Sequence, residues 1–327
     1  MTTSTDDNRP FKDIVALVET MPVLAKDAFS NTLIAMNDKT GVLSPLGRLN
    51  TELALIAAWQ GQTNPSLLRP LISVFAGTHG VAKNLFESDI IEQAKARVQT
   101  LTEGSSAVRG MASDLGAAFK VYEFGLEYPS ADFTEEPSLS EKDCAAAIAF
   151  GMEVVAEGAD VIVLGNGGYG AATAAAAIAR SLYGGTADYW AGGAEETAEK
   201  RIAAIEKGTQ RHIQEGPYSS LEALRHFGGR DIAGCVGAIL AARHQRIPVV
   251  LDGFVVCAAA AVLHSINPDT LDHCIAAHVS AEPAHAALLD RIEKKPVMDF
   301  GVNIGDGSGG ALAISLLKLA AAGLKTL

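Results

Sequence analysis

Short apolar runs, each followed by a glycine, aspartate or histidine, recur along the chain. Runs of this length that end at such residues are typical of strands buried in a parallel sheet. The pattern therefore predicts six strands. They cover residues 71–76, 119–124, 160–164, 247–251, 274–277 and 296–300.

Alanine-rich stretches with helical patterning lie between and around these runs. They predict helices over residues 141–157, 171–182, 196–213, 231–245, 254–265 and 310–323, with earlier helices near Ile14–Val18 and over 49–60. Strands that alternate with helices indicate an α/β fold with a parallel, doubly wound (Rossmann-like) sheet flanked by helices. The polar stretch 129–142 predicts a surface loop.

Composition and charge narrow the possible partners. The 327 residues include 26 Lys+Arg and 38 Asp+Glu, which gives a formal net charge of -12. Without a cluster of basic residues, the chain is not expected to bind nucleic acid or an anionic membrane surface. Hydrophobic residues make up 48% of the chain, enough for a sizeable core, which excludes global disorder.

The cysteines and the chain start predict a cytoplasmic protein. Cys144, Cys235, Cys257 and Cys274 are scattered, which fits buried thiols in a reducing compartment rather than disulfides or a zinc site. The polar amino terminus lacks the pattern of a signal peptide, and the longest apolar run, 254–263, is too short to span a bilayer.

Loops that follow the predicted strands are where a ligand site is expected, because open α/β sheets bind ligands beyond the carboxyl ends of their strands. The loop 165–170 (GNGGYG) precedes an alanine-rich helix, whose first amides and dipole attract phosphate. Its glycine spacing departs from the dinucleotide fingerprint, and no suitably placed acidic residue follows. The residues alone leave two roles of this loop equally open. It could bind phosphate, or it could be a glycine turn that lets the helix pack on the sheet.

Asp306 and two histidines are the other candidates. Three glycines surround Asp306, which could act as a general base or cap the last helix, and the residues alone favour the cap. His79 and His278 follow separate strands, and single histidines in such loops are more often structural than catalytic. No local metal triplet and no G-x-S-x-G nucleophile motif occurs.

Several motifs, taken in order, point to one family. They are LGRL at 46–49, VFAGTHGV at 74–81, FGGRDIA at 227–233 with GAILAA at 237–242, PVVLDGF at 248–254, HVSAEP at 278–283 and GDGSGGALA at 305–313. Together, between about residues 40 and 322, they resemble the nicotinate-nucleotide:dimethylbenzimidazole phosphoribosyltransferase family, which activates the lower base of cobalamin.

The resemblance implies a fold, a reaction and an assembly. Residues 61–310 would form a large α/β domain, and residues 1–60 with about 311–327 a small helical domain, in a homodimer. Nicotinate mononucleotide and dimethylbenzimidazole, or a related base, would give α-ribazole 5′-phosphate and nicotinate, with no cofactor and no metal. The base attacks C1′ opposite the departing nicotinate, and a carboxylate removes a proton from the other base nitrogen.

The resemblance also implies the site residues. Asp306 matches the catalytic carboxylate, which is a Glu in the family. The expected substrate-binding residues are Gly77, Thr78, His79, Gly165, Asn166, Gly168, Gly170, Thr173, Gly192, Gly193, Asp252, Ser280, Gly305 and Gly307.

This chain departs from the family pattern mainly at the ligand loops. Asp306 is one methylene shorter than Glu, and Asn166 replaces a carboxylate. Ala171–Ala172 replace an Asn-Thr pair, Thr78 replaces an Asp, and the shortened loop 191–195 carries Glu195. Three hypotheses follow: an active phosphoribosyltransferase, which the motifs favour; a catalytically impaired relative that binds a nucleotide or base; and a nucleotide-dependent oxidoreductase, which rests on the glycine loop alone.

Overall fold

Five parallel strands form one sheet in the described residues, and they confirm the predicted doubly wound α/β fold. The computed structural model describes residues 10–104, 106–192, 196–213 and 219–325. The strand order β2-β1-β3-β4-β5 reverses between β1 and β3. The strands are β1 (Pro70–Ala76), β2 (Ala118–Glu123), β3 (Val161–Asn166), β4 (Val249–Leu251) and β5 (Cys274–Ala276).

Helices connect and cover these strands. Those before β3 are α1 (Pro10–Glu19), α2 (Lys26–Thr40), α3 (Arg48–Trp59), α4 (Ile90–Thr102), α5 (Ala107–Leu115) and α6 (Glu141–Gly151). Those after it are α7 (Ala171–Tyr183), α8 (Ala187–Ala191), α9 (Ala198–Ile213), α10 (Ser220–Phe227), α11 (Arg230–His244), α12 (Gly253–Ile266), α13 (His285–Arg291) and α14 (Ser308–Lys325). Short 3₁₀ helices cover Gly80–Asn84, Met152–Glu157 and Pro268–Leu271.

Both faces of the sheet are buried at β1, β3, β4 and β5, which explains why these strands are mostly apolar, whereas the edge strand β2 is only partly buried. Leu71 and Phe75 of β1 pack in one cluster with side chains of α6, α7, α11 and α12. Ile72 and Val74 point to the other face and pack with side chains of α3, α5 and α14. Successive residues of a strand point to opposite faces, so one strand contributes to both layers.

Glycines allow two helices of the first layer to touch at their backbones. A methyl group at Gly237 of α11 would lie 1.9 Å from the carbonyl oxygen of Ile148 in α6, and one at Gly151 would lie 2.0 Å from that of Gly234. Neither position has room for a side chain. The abundance of small residues therefore sets how closely these helices approach.

Two local predictions are wrong. Residues 296–300 form no strand, and Met298 makes only an isolated bridge with His278 beyond the end of β5. Residues 129–140 are irregular but not a surface loop, because Phe133 and Leu139 are buried. The Leu139 amide donates to the Arg225 carbonyl at 3.0 Å, so this segment packs against the end of α10.

The predicted helix over 141–157 also divides, since α6 ends at Gly151 and 3₁₀ geometry continues to Glu157. The division into a large and a small domain stays a prediction; α2 and α3 pack on each other and on α14, which also covers β3 and β4. The four cysteines are free and buried, as expected. Within the described ranges, none of the helices has the length and apolarity needed to cross a bilayer.

Candidate active site

The loops after β1 and β3 meet where the strand order reverses. The Gly167 amide donates to the Phe75 carbonyl at 2.7 Å, the Tyr169 amide to the Gly77 carbonyl at 2.9 Å, and the His79 amide to the Tyr169 carbonyl at 3.0 Å. Ligands of doubly wound sheets bind at this switch point.

A cleft of about 330 Å³ opens at this point. One part of its wall is apolar and aromatic, including the rings of Phe86 and Tyr169, whose centroids lie 5.0 Å apart. The remainder is polar and carries charges of both signs. Its lining comprises Leu85, Phe86, Arg97, Asn166, Gly168, Tyr169, Gly170, Ala171, Ala172, Thr173, Thr197, Arg201, Gly253, Phe254, Val255, Ser280, Glu282, Asn303, Ile304 and Gly305.

The amino end of α7 forms one wall of the cleft. Gly170, with φ of 88°, adopts the left-handed conformation that glycine favours and lets the chain turn directly into the helix at Ala171. Among the described residues, no side chain caps this end. The first amides of a helix lack partners within the helix and carry a partial positive charge, so this wall suits an anion.

Two arginines also line the cleft, and the sequence patterns marked neither. Arg201 of α9 is nearly buried, and its guanidinium lies 3.0 Å from a carboxylate oxygen of Glu282, which lines the same cleft. Arg97 of α4 is exposed at the rim. Both lie outside the strand-end loops, where the sequence predicted the site, so no local motif could have found them.

Ser280 reaches the cleft from the loop after β5, and His285 holds it from behind. The Ser280 amide donates to Nδ1 of His285 at 2.8 Å, and the Ser280 hydroxyl lies 2.9 Å from the same nitrogen. Nε2 of His285 therefore carries the proton, facing the Cys257 sulfur at 3.3 Å. Burial, reinforced by neighbouring His278, lowers the pKa of His285 to about 3, so this imidazole is neutral.

Asp306 lies directly after the lining residue Gly305. Its Oδ1 accepts a hydrogen bond from the Ser308 amide at 3.1 Å, at the start of α14. The loop is tied to β3, because the Asn166 amide donates to the Gly305 carbonyl at 2.7 Å. The carboxylate thus makes a contact of the capping type and is half-buried beside the cleft.

A buried Asp–His pair supports that loop from below. Nε2 of His278 lies 2.6 Å from Oδ1 of Asp252, and both side chains are inaccessible to solvent. Burial alone would lower the pKa of His278, but the hydrogen bond from its ring to Asp252 raises it above the ordinary value. A methyl group at Gly309 would lie 2.6 Å from Oδ1 of Asp252, so α14 rests directly on the pair.

A second buried pair lies behind the loop after β3. Nε2 of His79 is 2.9 Å from Oδ1 of Asp231, and Oδ2 of Asp231 accepts from the Asn166 amide group at 2.9 Å. Burial alone would raise the pKa of Asp231, but His79 and Asn166 outweigh it and the pKa lies below the ordinary value. Thr78 is also buried, and its hydroxyl donates to the Leu126 carbonyl at 2.9 Å.

The predicted site residues fall into three groups. Gly192 lies apart from the cleft lining, at the carboxyl end of α8, where its amide donates to the Asp188 carbonyl; Gly193 and Glu195 lie outside the described residues. The two larger groups are the residues that line the cleft (Asn166, Gly168, Gly170, Thr173, Ser280 and Gly305) and those behind or beside them (Gly77, Thr78, His79, Gly165, Asp252, Asp306 and Gly307).

Fold and cleft define an α/β protein whose switch point is equipped for an anionic ligand, and comparison with known proteins identifies its family. A family model described as "Phosphoribosyltransferase" matches residues 22–327. Nicotinate-nucleotide–dimethylbenzimidazole phosphoribosyltransferases from Brucella anthropi and Rhizobium rhizogenes are 43% and 42% identical to this chain. The aligned regions cover 95% and 96% of this chain and 93% of each relative.

Two solved structures support the same family assignment. The crystal structure of the phosphoribosyltransferase of the same name from Thermus thermophilus has a TM-score of 0.84 and 28% identity, covering 91% of this chain and 96% of that one. A second structure, of CobT from the same organism, has a TM-score of 0.81 and 27% identity over the same shares. The chain belongs to the phosphoribosyltransferase family and is thus an enzyme of the pentosyltransferase class.

Proposed function

We propose that this enzyme transfers the phosphoribosyl group of nicotinate mononucleotide to dimethylbenzimidazole or a related base. The products would be α-ribazole 5′-phosphate and nicotinate, as in the activation of the lower base of cobalamin. The names of the relatives support these substrates. The observation that carries the proposal is a single cleft that joins an anion-binding helix end and a buried arginine to the loop of Asp306.

The phosphate of the mononucleotide would bind between α7 and α9. Ala171 and Ala172 supply only backbone amides, which is enough because helix amino ends bind phosphate through such amides. Arg201 supplies the positive charge that the glycine loops lack, and Ser280 adds a hydroxyl on the facing wall. A bound phosphate would share the guanidinium with Glu282. This arrangement lets an acidic chain hold an anionic substrate.

The reaction then needs orientation and one proton transfer. A nitrogen of the base forms a bond to C1′ while the bond from C1′ to the nicotinate nitrogen breaks. The electron pair of that bond neutralises the pyridinium, so nicotinate leaves without needing a proton. Asp306 would accept the proton that the other base nitrogen loses. Holding both substrates in line supplies the larger part of the rate gain, and general base catalysis adds about 10²–10⁴-fold.

Product formation from nicotinate mononucleotide and a panel of benzimidazoles and phenols tests the proposal, with chromatographic detection of the α-ribazole phosphate or its analogue. Asp306→Asn should lower kcat by about 10²-fold or more, while Asp306→Glu retains activity. Unchanged turnover in Asp306→Asn would remove the base from the mechanism. Binding of the mononucleotide without product from any acceptor would favour the impaired relative. Saturable binding of a nicotinamide cofactor would favour the oxidoreductase.

Substitution of Arg201 tests the phosphate site separately. Arg201→Ala should raise KM for nicotinate mononucleotide by about tenfold or more with a smaller change in kcat, because a charge-assisted hydrogen bond to a ligand is lost. Lys207→Ala removes a charge from the same helix at a position exposed to solvent and serves as the control. An equal KM in both variants would place the phosphate elsewhere.

We further propose that the enzyme is a homodimer in the cytoplasm. Large apolar side chains stand exposed on and after α2, among them Ile34 and Leu43, the latter 81% exposed. Association of two copies would remove such surface from water. Light scattering should give twice the mass of the chain, and Leu43→Asp should shift the protein towards the monomer. A wild-type protein that is monomeric at micromolar concentration would refute the assembly.

A further inference from the structure

Asp231 is a fully buried carboxylate at the point where three loops converge. It lies in the first turn of α11, and the loops after β1, after β3 and before α11 surround it. A methyl group added at Gly77, Gly168 or Gly229 would lie 3.0, 2.0 or 2.9 Å from one of its oxygens. The three loops therefore close directly on the charge, and at Gly168 and Gly229 there is no room for a side chain.

One side of this carboxylate connects to the cleft through Asn166. The Asn166 amide group donates to Oδ2 of Asp231 at 2.9 Å, while its own oxygen accepts from the Gly168 amide at 2.8 Å. Asn166 and Gly168 both line the cleft. Both polar atoms of the Asn166 side chain are thus used to fix the loop, and they join a buried charge to the wall that faces the ligand.

The other side of the carboxylate faces His79, whose Nε2 lies 2.9 Å from Oδ1. His79 also belongs to the loop after β1, and its amide donates to the Tyr169 carbonyl. The same carboxylate consequently contacts residues of both loops that form the switch point. Removing it would leave buried polar groups of both loops without their shared partner, which is costly in a dry interior.

We propose that Asp231 is a positioning residue for phosphoribosyl transfer. Through Asn166 and His79 it holds the loop Gly165–Gly170 in the shape that points the amino end of α7 at the ligand. Asp231 itself does not touch substrate. The inference rests on the proposed function for its kinetic readout and adds to it a residue behind the cleft.

The hydrogen-bonded pair consists of an amide, Asn166, and a carboxylate, Asp231. Exchanging these two residue types tests the proposal. Asn166→Asp sets two carboxylates about 2.9 Å apart in a buried site, where they must share a proton. The other titratable groups facing the pair are His79 and the thiol of Cys235, whose pKa burial raises well above its ordinary value. The thiol stays protonated, and His79 is present in the wild type as well, so the change in pH response relative to the wild type reports the new carboxylate pair.

The experiment compares the wild type with Asn166→Asp, Asp231→Asn and the exchanged double variant at pH 5.5 and pH 8. Relative to the wild type, kcat/KM of Asn166→Asp should fall about tenfold further at pH 8 than at pH 5.5, since the shared proton is lost and the loop is pushed apart. The double variant holds one carboxylate and one amide again and should lose this extra pH dependence. Asp114→Asn on the exposed face of α5 is the control for loss of a negative charge.

Hydrogen exchange of the peptide covering residues 165–173 gives a readout that needs no substrate. In Asn166→Asp, exchange of this peptide relative to the wild type should rise between pH 5.5 and pH 8, with other peptides unchanged. A parallel pH profile in Asn166→Asp and wild type, or purely additive effects in the double variant, would overturn the inference. If the wild type forms no product but the hydrogen exchange of residues 165–173 in Asn166→Asp still rises with pH, the proposed substrates are refuted. The role of Asp231 in holding the loop is then still supported.

Discussion

At the scale of single residues, the cleft depends on polar side chains one layer behind its surface. Ser280 can present its hydroxyl only if its backbone is held, and Nδ1 of His285 does this by accepting the Ser280 amide. Since the pKa of His285 lies at about 3, the imidazole keeps this acceptor across the whole working pH range. Its role is fixed by geometry and does not change with pH.

Replacing His285 by two different amides tests this role. The Asn oxygen falls near Nδ1 and can still accept the Ser280 amide, whereas Gln extends towards Cys257 and leaves that amide without a partner. We expect His285→Gln to raise KM for nicotinate mononucleotide about 2- to 10-fold above that of His285→Asn, the equivalent of one lost hydrogen bond of about 0.5–1.5 kcal/mol. Equal KM values in the two variants would show that Ser280 needs no such support.

Asp306 shows what the residues of one segment can and cannot decide. The sequence around it allows two interpretations, a helix cap or a general base, because the pattern of nearby residues describes only neighbours along the chain and not neighbours in space. The structure adds that Oδ1 contacts the Ser308 amide and that Gly305 lines the cleft. A carboxylate has two oxygens, so the capping contact leaves room for both roles.

At the scale of elements, the contact between α6 and α11 depends on glycine. Gly237→Ala would force a methyl group against the Ile148 carbonyl, where backbone on both sides prevents relief. We expect a loss of about 1–3 kcal/mol in the free energy of unfolding, measured by denaturant titration. Gly110→Ala in α5 has open space around it and should be neutral or stabilising by up to about 1 kcal/mol. Similar effects from both substitutions would contradict the packing argument.

Element prediction succeeded where burial alone determines the pattern. β1 and β3 are buried at every position, so their sequences are mostly apolar, with Ser73 inside β1 and Gly165 and Asn166 at the end of β3 as the exceptions. The segment 296–300 begins with a similar short run. Its Val297 amide donates to the carbonyl of Ala276, the last residue of β5, but beyond that only an isolated bridge forms between Met298 and His278. Arg201 escaped prediction for a related reason, since α9 reaches the cleft only through tertiary packing. Amino-acid composition and the spacing of residues along the chain contain no information on such long-range contacts.

At the scale of the whole molecule, buried histidines should govern how stability responds to mild acid. Burial lowers the pKa of His273 and His285 to about 3, and that of half-buried His264 also falls. In the unfolded chain these groups titrate near 6.5, so between 6.5 and 3 the unfolded state binds more protons. Stability from these groups is therefore lost as pH falls below 6.5.

His278 acts in the opposite direction, because its raised pKa favours the fold below 6.5. The pKa values of His273 and His285 fall to about 3, far below 6.5, so the slope that the histidines contribute should follow these two buried neutral groups. Carboxylates such as Glu222, with its pKa lowered to about 2 mainly by the hydrogen bond from His226, contribute only once pH falls towards the unfolded value of 4.5. The carboxyls whose pKa burial raises (Glu52, Asp252 and Asp272) act in the same direction as His278 between pH 7 and pH 5. The share of one histidine is therefore measured as the difference between the wild type and a variant of that histidine.

His273→Gln provides the decisive comparison in that range. Nε2 of His273 lies 3.0 Å from the Ile239 carbonyl, and the Gln amide can donate to the same oxygen without ever gaining a charge. By denaturant titration, the wild type should lose free energy of unfolding steadily from pH 7 to pH 5, and the variant should lose less over the same range. At pH 7 the variant should have a lower free energy of unfolding than the wild type, since Trp59 loses its edge contact with the imidazole. The test is the slope of the free energy of unfolding against pH. Identical slopes would mean that His273 takes up no protons on unfolding and that another group sets the acid response.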